Sequence, residues 1–152
     1  MERLRSHAPS TSILLADDDE RFRTLVRRIL VDDGYEVVAE AGCAIDAVRL
    51  ARAHRPQVAI LDLVMPEITV HTDEGEDVVL DLVRSQDAGM RAAQELLSTG
   101  LVEGIVILSS VFDPVVEREA AELGIWYLEK AEGIDALEHA IDGAVAVVNR
   151  AH

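Results

Sequence analysis

Three carboxylates in this chain directly follow apolar runs that are typical of buried strands. Asp17 and Asp18 come after residues 13–16, and Asp62 comes after residues 58–61. A buried strand that ends in carboxylates must bring them to the rim of its sheet, because a sheet interior cannot solvate charge. If the two strands are neighbours, each close pair of carboxylates repels by roughly 4 kcal/mol. A divalent cation turns this repulsion into attraction, so the pattern predicts a magnesium site with a nucleophilic aspartate.

Strand-like and helix-like segments alternate along the chain, which predicts five βα units and therefore a doubly wound parallel sheet with right-handed crossovers. In such a sheet the site lies at the carboxyl ends of the strands. The first helix is predicted over residues 20–31, with one buried face made of Phe22, Leu25, Val26, Ile29 and Leu30. The remaining strands are predicted at 37–39, 58–62, 105–110 and 126–130, and further helices at 44–54, from Asp113-Pro114 onward and at 134–149.

Length and charge exclude several classes of function. The 152 residues make room for one domain with a sizeable core, and the formal net charge of -15 argues against a nucleic-acid or anionic-membrane partner. The single cysteine, Cys43, excludes a disulfide framework, and no apolar stretch approaches the roughly 20 residues of a membrane span. We therefore expect a cytoplasmic protein, with residues 1–11 as a disordered tail and 12–152 as the folded domain.

Further polar residues occur at the ends of the later predicted strands. Ser109-Ser110 ends the fourth strand, Lys130 ends the fifth, and Asp62 is followed by Leu-Val-Met-Pro. With Asp17-Asp18, this set in this order resembles the receiver domain of two-component response regulators over nearly the whole chain. The resemblance implies a flavodoxin-like sheet of strand order 2-1-3-4-5 with helices on both faces.

The resemblance also implies a chemistry for the acidic residues. The residue that matches Asp62 accepts a phosphoryl group from a histidine kinase or phosphotransfer protein. The residues that match Asp17 and Asp18, together with Asp62 and the backbone carbonyl at Val64, bind Mg²⁺ or Mn²⁺. A domain of this kind catalyses its own phosphoryl transfer and slow dephosphorylation, so whether it counts as an enzyme is left open.

Three more residues take roles through the resemblance. The hydroxyl that matches Ser109 and the ammonium that matches Lys130 contact the phosphoryl oxygens. Ser109 and Tyr127 are the expected switch residues, whose rearrangement accompanies activation. Each position also has an ordinary explanation: acids before a helix are common N-caps, and a lysine is commonly solvated. Lys130 is nevertheless the only lysine beside thirteen arginines, which favours a specific requirement for an ammonium group.

An insertion of roughly twenty residues, around 67–87, departs from the common receiver pattern. We place the start of the third helix at Ala88-Gly89, because the number of residues from Gly89 to Ser109 is then the usual one for the receiver pattern. One alternative uses Gly75 and places the helix at 76–84. Another lets the helix begin early, with one face made of Val79, Leu82, Val83, Gln86, Met90, Ala93 and Leu97.

Two functions remain open at this point. The first is a response regulator that is phosphorylated on Asp62 and signals through changed protein contacts; the chain as given has no output domain, although it could be the receiver part of a longer transcriptional regulator. The second is a phosphorylation-independent interaction module whose site is covered by the acidic insertion. A homodimer is expected through the face made by the helix that starts at Asp113-Pro114, the predicted strand at 126–130 and the last helix, or through the insertion. Four arginines of the first helix form the expected kinase surface: Arg21, Arg23, Arg27 and Arg28.

Overall fold

The protein is known from a computed structural model that describes residues 10–71, 77–79 and 87–150, with 69–71, 77–79 and 146–150 described at the level of the backbone. The strands are β1 (Ser12–Ala16), β2 (Glu36–Ala41), β3 (Val58–Asp62), β4 (Thr69–His71), β5 (Asp77–Val79), β6 (Gly104–Ser109) and β7 (Trp126–Glu129). The helices are α1 (Glu20–Asp32), α2 (Ala44–His54), α3 (Ala88–Ser98), α4 (Pro114–Leu123) and α5 (Ile134–Arg150), with a 3₁₀ turn at Lys130–Glu132.

Five of these strands form one parallel sheet in the order β2-β1-β3-β6-β7. Counted without the β4–β5 pair, this is the predicted order 2-1-3-4-5, and the doubly wound fold is confirmed. The strand order reverses between β1 and β3, so their carboxyl ends are adjacent at the switch point. Asp17 follows the last residue of β1, and Asp62 is the last residue of β3.

Alternate residues of the central strands supply two separate cores, because successive side chains of a strand point to opposite faces. Leu14, Ala59 and Ile105 pack with α2 and α3 on one face, while Ile13, Val58 and Val106 pack with α1 and α5 on the other. Residues 58–62 are buried throughout, as expected for a central parallel strand covered on both sides.

Part of the predicted insertion forms an antiparallel pair of strands. β4 pairs with β5 in the register Thr69↔Val79, Val70↔Val78 and His71↔Asp77. The two alternatives that placed a helix at 76–84, or started the third helix near Val79, are therefore wrong, and α3 begins at Ala88 as the spacing to Ser109 indicated. The physical reason is that Val78 and Val79 are β-branched, and a paired strand suits them better than an isolated helical turn. The rest of the insertion, residues 72–76 and 80–86, lies outside the described residues.

The segment before the hairpin is attached to the N-terminus of α2. The carbonyls of Pro66 and Glu67 accept hydrogen bonds from the backbone N–H groups of Ala44 and Ile45, each at 2.9 Å. The Glu67 carboxylate also pairs with Arg91 of α3. Because Cys43 provides no side-chain cap for α2, these carbonyls satisfy two of the helix's free donors.

Other boundaries differ from the sequence-based expectation. Leu25, predicted to lie on the buried face of α1, is 57% exposed, whereas Val26 and Leu30 are buried. Thr11, expected in the tail, is buried and accepts a hydrogen bond from Glu36, so the fold begins before Ser12. Of the rest of the expected tail, Ser10 is exposed and residues 1–9 lie outside the described residues. No helix within the described ranges is long and apolar enough to cross a bilayer.

Candidate functional site

A cleft of about 770 Å³ opens at the carboxyl ends of β1, β3 and β6. This is the sheet edge where the sequence analysis placed a site, beside the switch in strand order. The cleft is lined by Asp17, Asp18, Asp19, Asp62, Leu63, Val64, Ser109, Ser110, Val111, Phe112, Asp113, Pro114 and Lys130. Every predicted site residue except Tyr127 is thus brought to this one cleft.

Three carboxylates meet in the cleft. Asp17 and Asp62 are buried and Asp18 is half-buried, and one oxygen from each lies within 4.8 Å of the others. The loop that carries Asp17 is held by hydrogen bonds: the Arg23 guanidinium donates to the Asp17 carbonyl at 2.6 Å, and the Asp19 backbone N–H donates to Asp17 Oδ1 at 2.9 Å. The three carboxylates are therefore held together by the fold, because their mutual repulsion alone would separate them.

Lys130 reaches the acids from the end of β7. Its Nζ lies 2.8 Å from Oδ2 of Asp17 and 3.5 Å from Oδ2 of Asp62. The same Nζ lies 4.4 Å from the centroid of the Phe22 ring. The lysine was predicted to end the fifth strand, but it begins the 3₁₀ turn after β7, so its side chain extends from the rim of the sheet.

Burial and mutual charge make Asp62 hard to ionise. Burial, followed by the neighbouring Asp17 carboxylate, raises the pKa of Asp62 to about 7, against a lowering by Lys130. Burial acts to lower the pKa of Lys130, but the Asp17 and Asp62 carboxylates outweigh it and the pKa is raised. Near neutral pH the lysine is therefore charged, while Asp62 is divided between its protonated and ionised forms.

The donor set fits a hard divalent cation. Carboxylate and carbonyl oxygens are the ligands that Mg²⁺ and Mn²⁺ take, and Mg²⁺ commonly keeps several waters beside one or two carboxylates. Asp17, Asp18 and Asp62 can each supply one oxygen to a common point. A cation there would also relieve the repulsion that raises the pKa of Asp62. The residues present therefore fit a magnesium-type ion.

The predicted switch residues lie beside the cleft and are joined through one loop. The Ser109 hydroxyl is buried and donates to the Val111 carbonyl, while Ser109 Oγ accepts from the Val111 N–H at 3.3 Å. The Tyr127 hydroxyl donates to the same carbonyl at 3.3 Å and accepts from the Asp113 N–H at 3.0 Å. Both side chains thus hold the loop between β6 and α4. Val64 lines the cleft and its backbone hydrogen-bonds to Asp62.

Three residues that build the site were not assigned to it by the sequence. Arg23 was placed on an exposed kinase surface, but it bonds the Asp17 carbonyl and pairs with Glu40, as Arg27 also does. Phe22 was assigned only to the core. Gly89 was used only to place the start of the third helix, yet a Cβ there would lie 2.2 Å from the Asp62 carbonyl oxygen. Of these, only Gly89 left a signal, because a glycine near the start of a helix can mark a close backbone approach.

Apolar side chains form an exposed rim beside the cleft. Val111 is 74% exposed, Val115 is 70% exposed and Phe112 is 45% exposed. The Phe112 ring also packs against Tyr127, with ring centroids 6.1 Å apart. This rim, made of Val111, Phe112 and Val115, is attached to the loop that Ser109 and Tyr127 hold.

Comparison with known proteins shows what the chain is similar to. The profile of the "Response regulator receiver domain" matches residues 13–142. The chain is 30% identical over 134 residues to the transcriptional regulatory protein PdtaR of Mycobacterium tuberculosis, and 28% identical over 131 residues to the response regulator GacA of Pseudomonas aeruginosa. These alignments cover 88% and 85% of this chain but 56% and 52% of the relatives. The chain therefore spans about half the length of the curated relatives it matches.

Solved structures show the same fold. The receiver domain of NarL from Mycobacterium tuberculosis superposes with a TM-score of 0.67 at 24% identity, covering 95% of this chain and 100% of that one. At this identity the likeness concerns the fold, and the arrangement of the site rests on the residues described above.

Proposed function

The chain belongs to the response regulator receiver domain family, and from this premise we propose that it accepts a phosphoryl group on Asp62 in a reaction that depends on a divalent cation. The observation that carries the proposal is the meeting of Asp17, Asp18, Asp62 and the Lys130 ammonium in one cleft. Such a set combines a nucleophile, a metal site and a fixed positive charge.

The step is the attack of an Asp62 carboxylate oxygen on phosphorus. An O–P bond forms to give an acyl phosphate, and the bond between phosphorus and the donor breaks: P–N in a phosphohistidine, P–O in a small donor such as acetyl phosphate. The donor leaves with the electron pair of the broken bond. Asp62 must be ionised to attack. Lys130 Nζ lies 3.5 Å from Asp62 Oδ2, so its positive charge favours the ionised carboxylate and neutralises negative charge on the phosphoryl oxygens.

The metal ligands in this proposal are Asp17, Asp18, Asp62 and the backbone carbonyl of Val64. When bound, Mg²⁺ or Mn²⁺ supplies positive charge that draws the carboxylates together and neutralises the phosphoryl oxygens. Arg23 and the Asp19 N–H hold the Asp17 loop in place before the ion arrives. The protein itself thus contributes a rigid set of ligand oxygens. Because folding has already placed these oxygens, they need little rearrangement when the cation binds.

We propose that the signal leaves through the loop between β6 and α4. A phosphoryl group on Asp62 adds about -1.5 to -2 charges and new acceptor oxygens. The Ser109 hydroxyl, now donating to Val111, is the donor that would turn to these oxygens. The Tyr127 hydroxyl donates to the same Val111 carbonyl as Ser109 does. When Ser109 releases this carbonyl, Tyr127 and the rim of Val111, Phe112 and Val115 therefore move. A downstream protein, or a second copy of the chain meeting it through α4, β7 and α5, would read this change.

The phosphoryl donor in this proposal is a histidine kinase or phosphotransfer protein that approaches α1. Arg21 and Arg28 are exposed on that helix beside the exposed Leu25, whereas Arg23 and Arg27 are paired with Glu40. The surface that supports docking is therefore smaller than the four arginines that the sequence suggested.

The test is incubation with acetyl phosphate and Mg²⁺, followed by measurement of intact mass. The wild-type protein is expected to gain one phosphoryl group, and the gain is expected to disappear with EDTA or in Asp62→Asn. Asp32→Asn makes the same charge change at the exposed end of α1 and should be phosphorylated normally. Without a gain in the wild type, the phosphorylation-independent module becomes the better account. Deleting residues 69–85 then shows whether the insertion blocks the site, because phosphorylation would appear in the deletion variant.

A further inference from the structure

An aromatic ring lies against the ammonium group in the cleft. Phe22 Cα belongs to the first turn of α1, where the Phe22 N–H donates to the N-cap side chain of Asp19 at 3.2 Å. The ring packs on the core between the sheet, α1 and α5. Its centroid lies 4.4 Å from Lys130 Nζ, which is within the range of a cation–π contact. The position of the ring is therefore supported by core packing as well as by its contact with the lysine.

The ammonium has two kinds of neighbours in the cleft. Its carboxylate contacts, to Asp17 at 2.8 Å and Asp62 at 3.5 Å, are with two of the three acids of the proposed metal site. A divalent cation bound by those acids would weaken their attraction for the lysine and repel its charge. The ring contact uses no carboxylate, so a cation bound by the acids does not compete for it.

We propose that Phe22 is a positioning residue for phosphoryl transfer: the face of its ring holds the Lys130 ammonium at the cleft while the carboxylates bind a cation. This inference rests on the proposed function and adds a residue to its machinery. The ring acts through Lys130 and touches no reacting atom. An aliphatic side chain of similar size would fill the core equally well, but it would leave the ammonium without a partner when the acids are occupied.

The composition of the chain gives a direct view of this contact. Lys130 is the only lysine, so protein labelled with ¹³C-lysine shows one set of side-chain NMR signals. Protons that lie over the face of an aromatic ring are shifted upfield. The ε-CH₂ signal of Lys130 is expected upfield of free lysine in the wild type, both without and with Mg²⁺.

The experiment compares Phe22→Leu, Phe22→Tyr and Val26→Ala in the full chain. Phe22→Leu keeps an apolar side chain and removes the ring face, and Phe22→Tyr keeps the face. Val26→Ala weakens the same helix at a buried position of the same core and controls for stability. Each variant is measured for the ε-CH₂ shift, for Mg²⁺ affinity, and for the phosphorylation rate with acetyl phosphate at saturating Mg²⁺.

We expect Phe22→Leu to lose the upfield shift and to be phosphorylated about 3- to 10-fold more slowly, with Mg²⁺ affinity nearly unchanged. Phe22→Tyr should keep both the shift and the rate, and Val26→Ala should keep both while unfolding at lower temperature. A wild-type rate in Phe22→Leu, or an equal slowing in Val26→Ala, would overturn the positioning role. If the wild type takes up no phosphoryl group at all, the proposed function fails. An upfield shift of the Lys130 ε-CH₂ signal in that protein would show that the Phe22–Lys130 contact exists even though phosphorylation does not occur.

Discussion

Asp62 is held in the fold in a state that costs stability when no cation is bound. Its pKa is raised from 3.8 to about 7 by burial and by Asp17. Between these two values the folded protein binds a proton that the unfolded chain does not, so the free energy of unfolding increases as the pH falls. Lys130, with its pKa raised from 10.5, contributes stability that is constant in this window.

The first prediction concerns this titration. Without Mg²⁺, the free energy of unfolding in urea should be larger at pH 5 than at pH 8, by more than about 1 kcal/mol. Asp62→Asn should be more stable than the wild type at pH 8 and should show less of this pH dependence. Mg²⁺ should stabilise the wild type at pH 8 by more than it stabilises the variant. Equal pH dependence in the two proteins would show that Asp62 is not the group responsible.

The second prediction concerns Gly89. An alanine there would favour helix α3 by about 1 kcal/mol, but its Cβ would lie 2.2 Å from the Asp62 carbonyl oxygen and 2.8 Å from Leu63 Cα. We therefore expect Gly89→Ala to destabilise the protein by about 1–3 kcal/mol and to slow phosphorylation by displacing Asp62. In Gly42→Ala, the added Cβ would meet Arg23 at 3.7 Å, an ordinary contact, so this control should change stability little. Equal urea denaturation curves for Gly89→Ala and Gly42→Ala would contradict the close approach.

At the level of single residues, the sequence was sufficient to predict which side chains meet at one edge of the sheet, where a residue's type and its place near a strand end carry the information. Asp17, Asp62 and Lys130 could be placed in the cleft in this way. Phe22 and Arg23 could not, because an apolar residue on a helix face and an arginine on its side have no spacing that shows what they contact. Their partners, Lys130 and the Asp17 carbonyl, are close only after the strands assemble.

Among the elements, α4 has the most clearly encoded start. Asp113 is its N-cap, accepting from the N–H groups of Val115 and Val116 at 2.9 and 3.3 Å, and Pro114 follows at the first helical position. The third prediction is that Asp113→Ala lowers the free energy of unfolding by about 1 kcal/mol, measured in urea, whereas Asp113→Asn costs less. An unchanged stability in Asp113→Ala would mean that water replaces the cap fully.

The strands of the five-stranded sheet and the helices around it could be predicted because hydrophobic periodicity and capping residues indicate the same boundaries there. The α2 boundaries, Ala44–His54, match the prediction, since Cys43-Ala44 opens an apolar pattern that Pro56 terminates. The β4–β5 hairpin could not be predicted in this way. Its strands are three residues each, too short for a period of 2 to be distinguished from helical spacing.

At the scale of the whole molecule, charge is the dominant property. The chain has 29 acidic and 14 basic side chains, a formal net charge of -15. Such an excess of one sign repels itself in the compact state. The fourth prediction is that the thermal midpoint rises between low salt and about 0.1 M NaCl, where the screening length is about 10 Å. Asp62→Asn should show the same rise, because the effect belongs to the whole surface. A midpoint that falls with salt would mean that the ion pairs outweigh the net repulsion.

The central claim is that Asp62 itself carries the phosphoryl group, and chemical mapping tests it most directly. Sodium borohydride reduces an acyl phosphate of aspartate to homoserine, so the modified position can be read by peptide sequencing in a mass spectrometer. After treatment with acetyl phosphate and Mg²⁺, homoserine is expected at position 62 and nowhere else in the chain. Homoserine at Asp17, at Asp18 or at another acid, with Asp62 intact, would contradict the assignment.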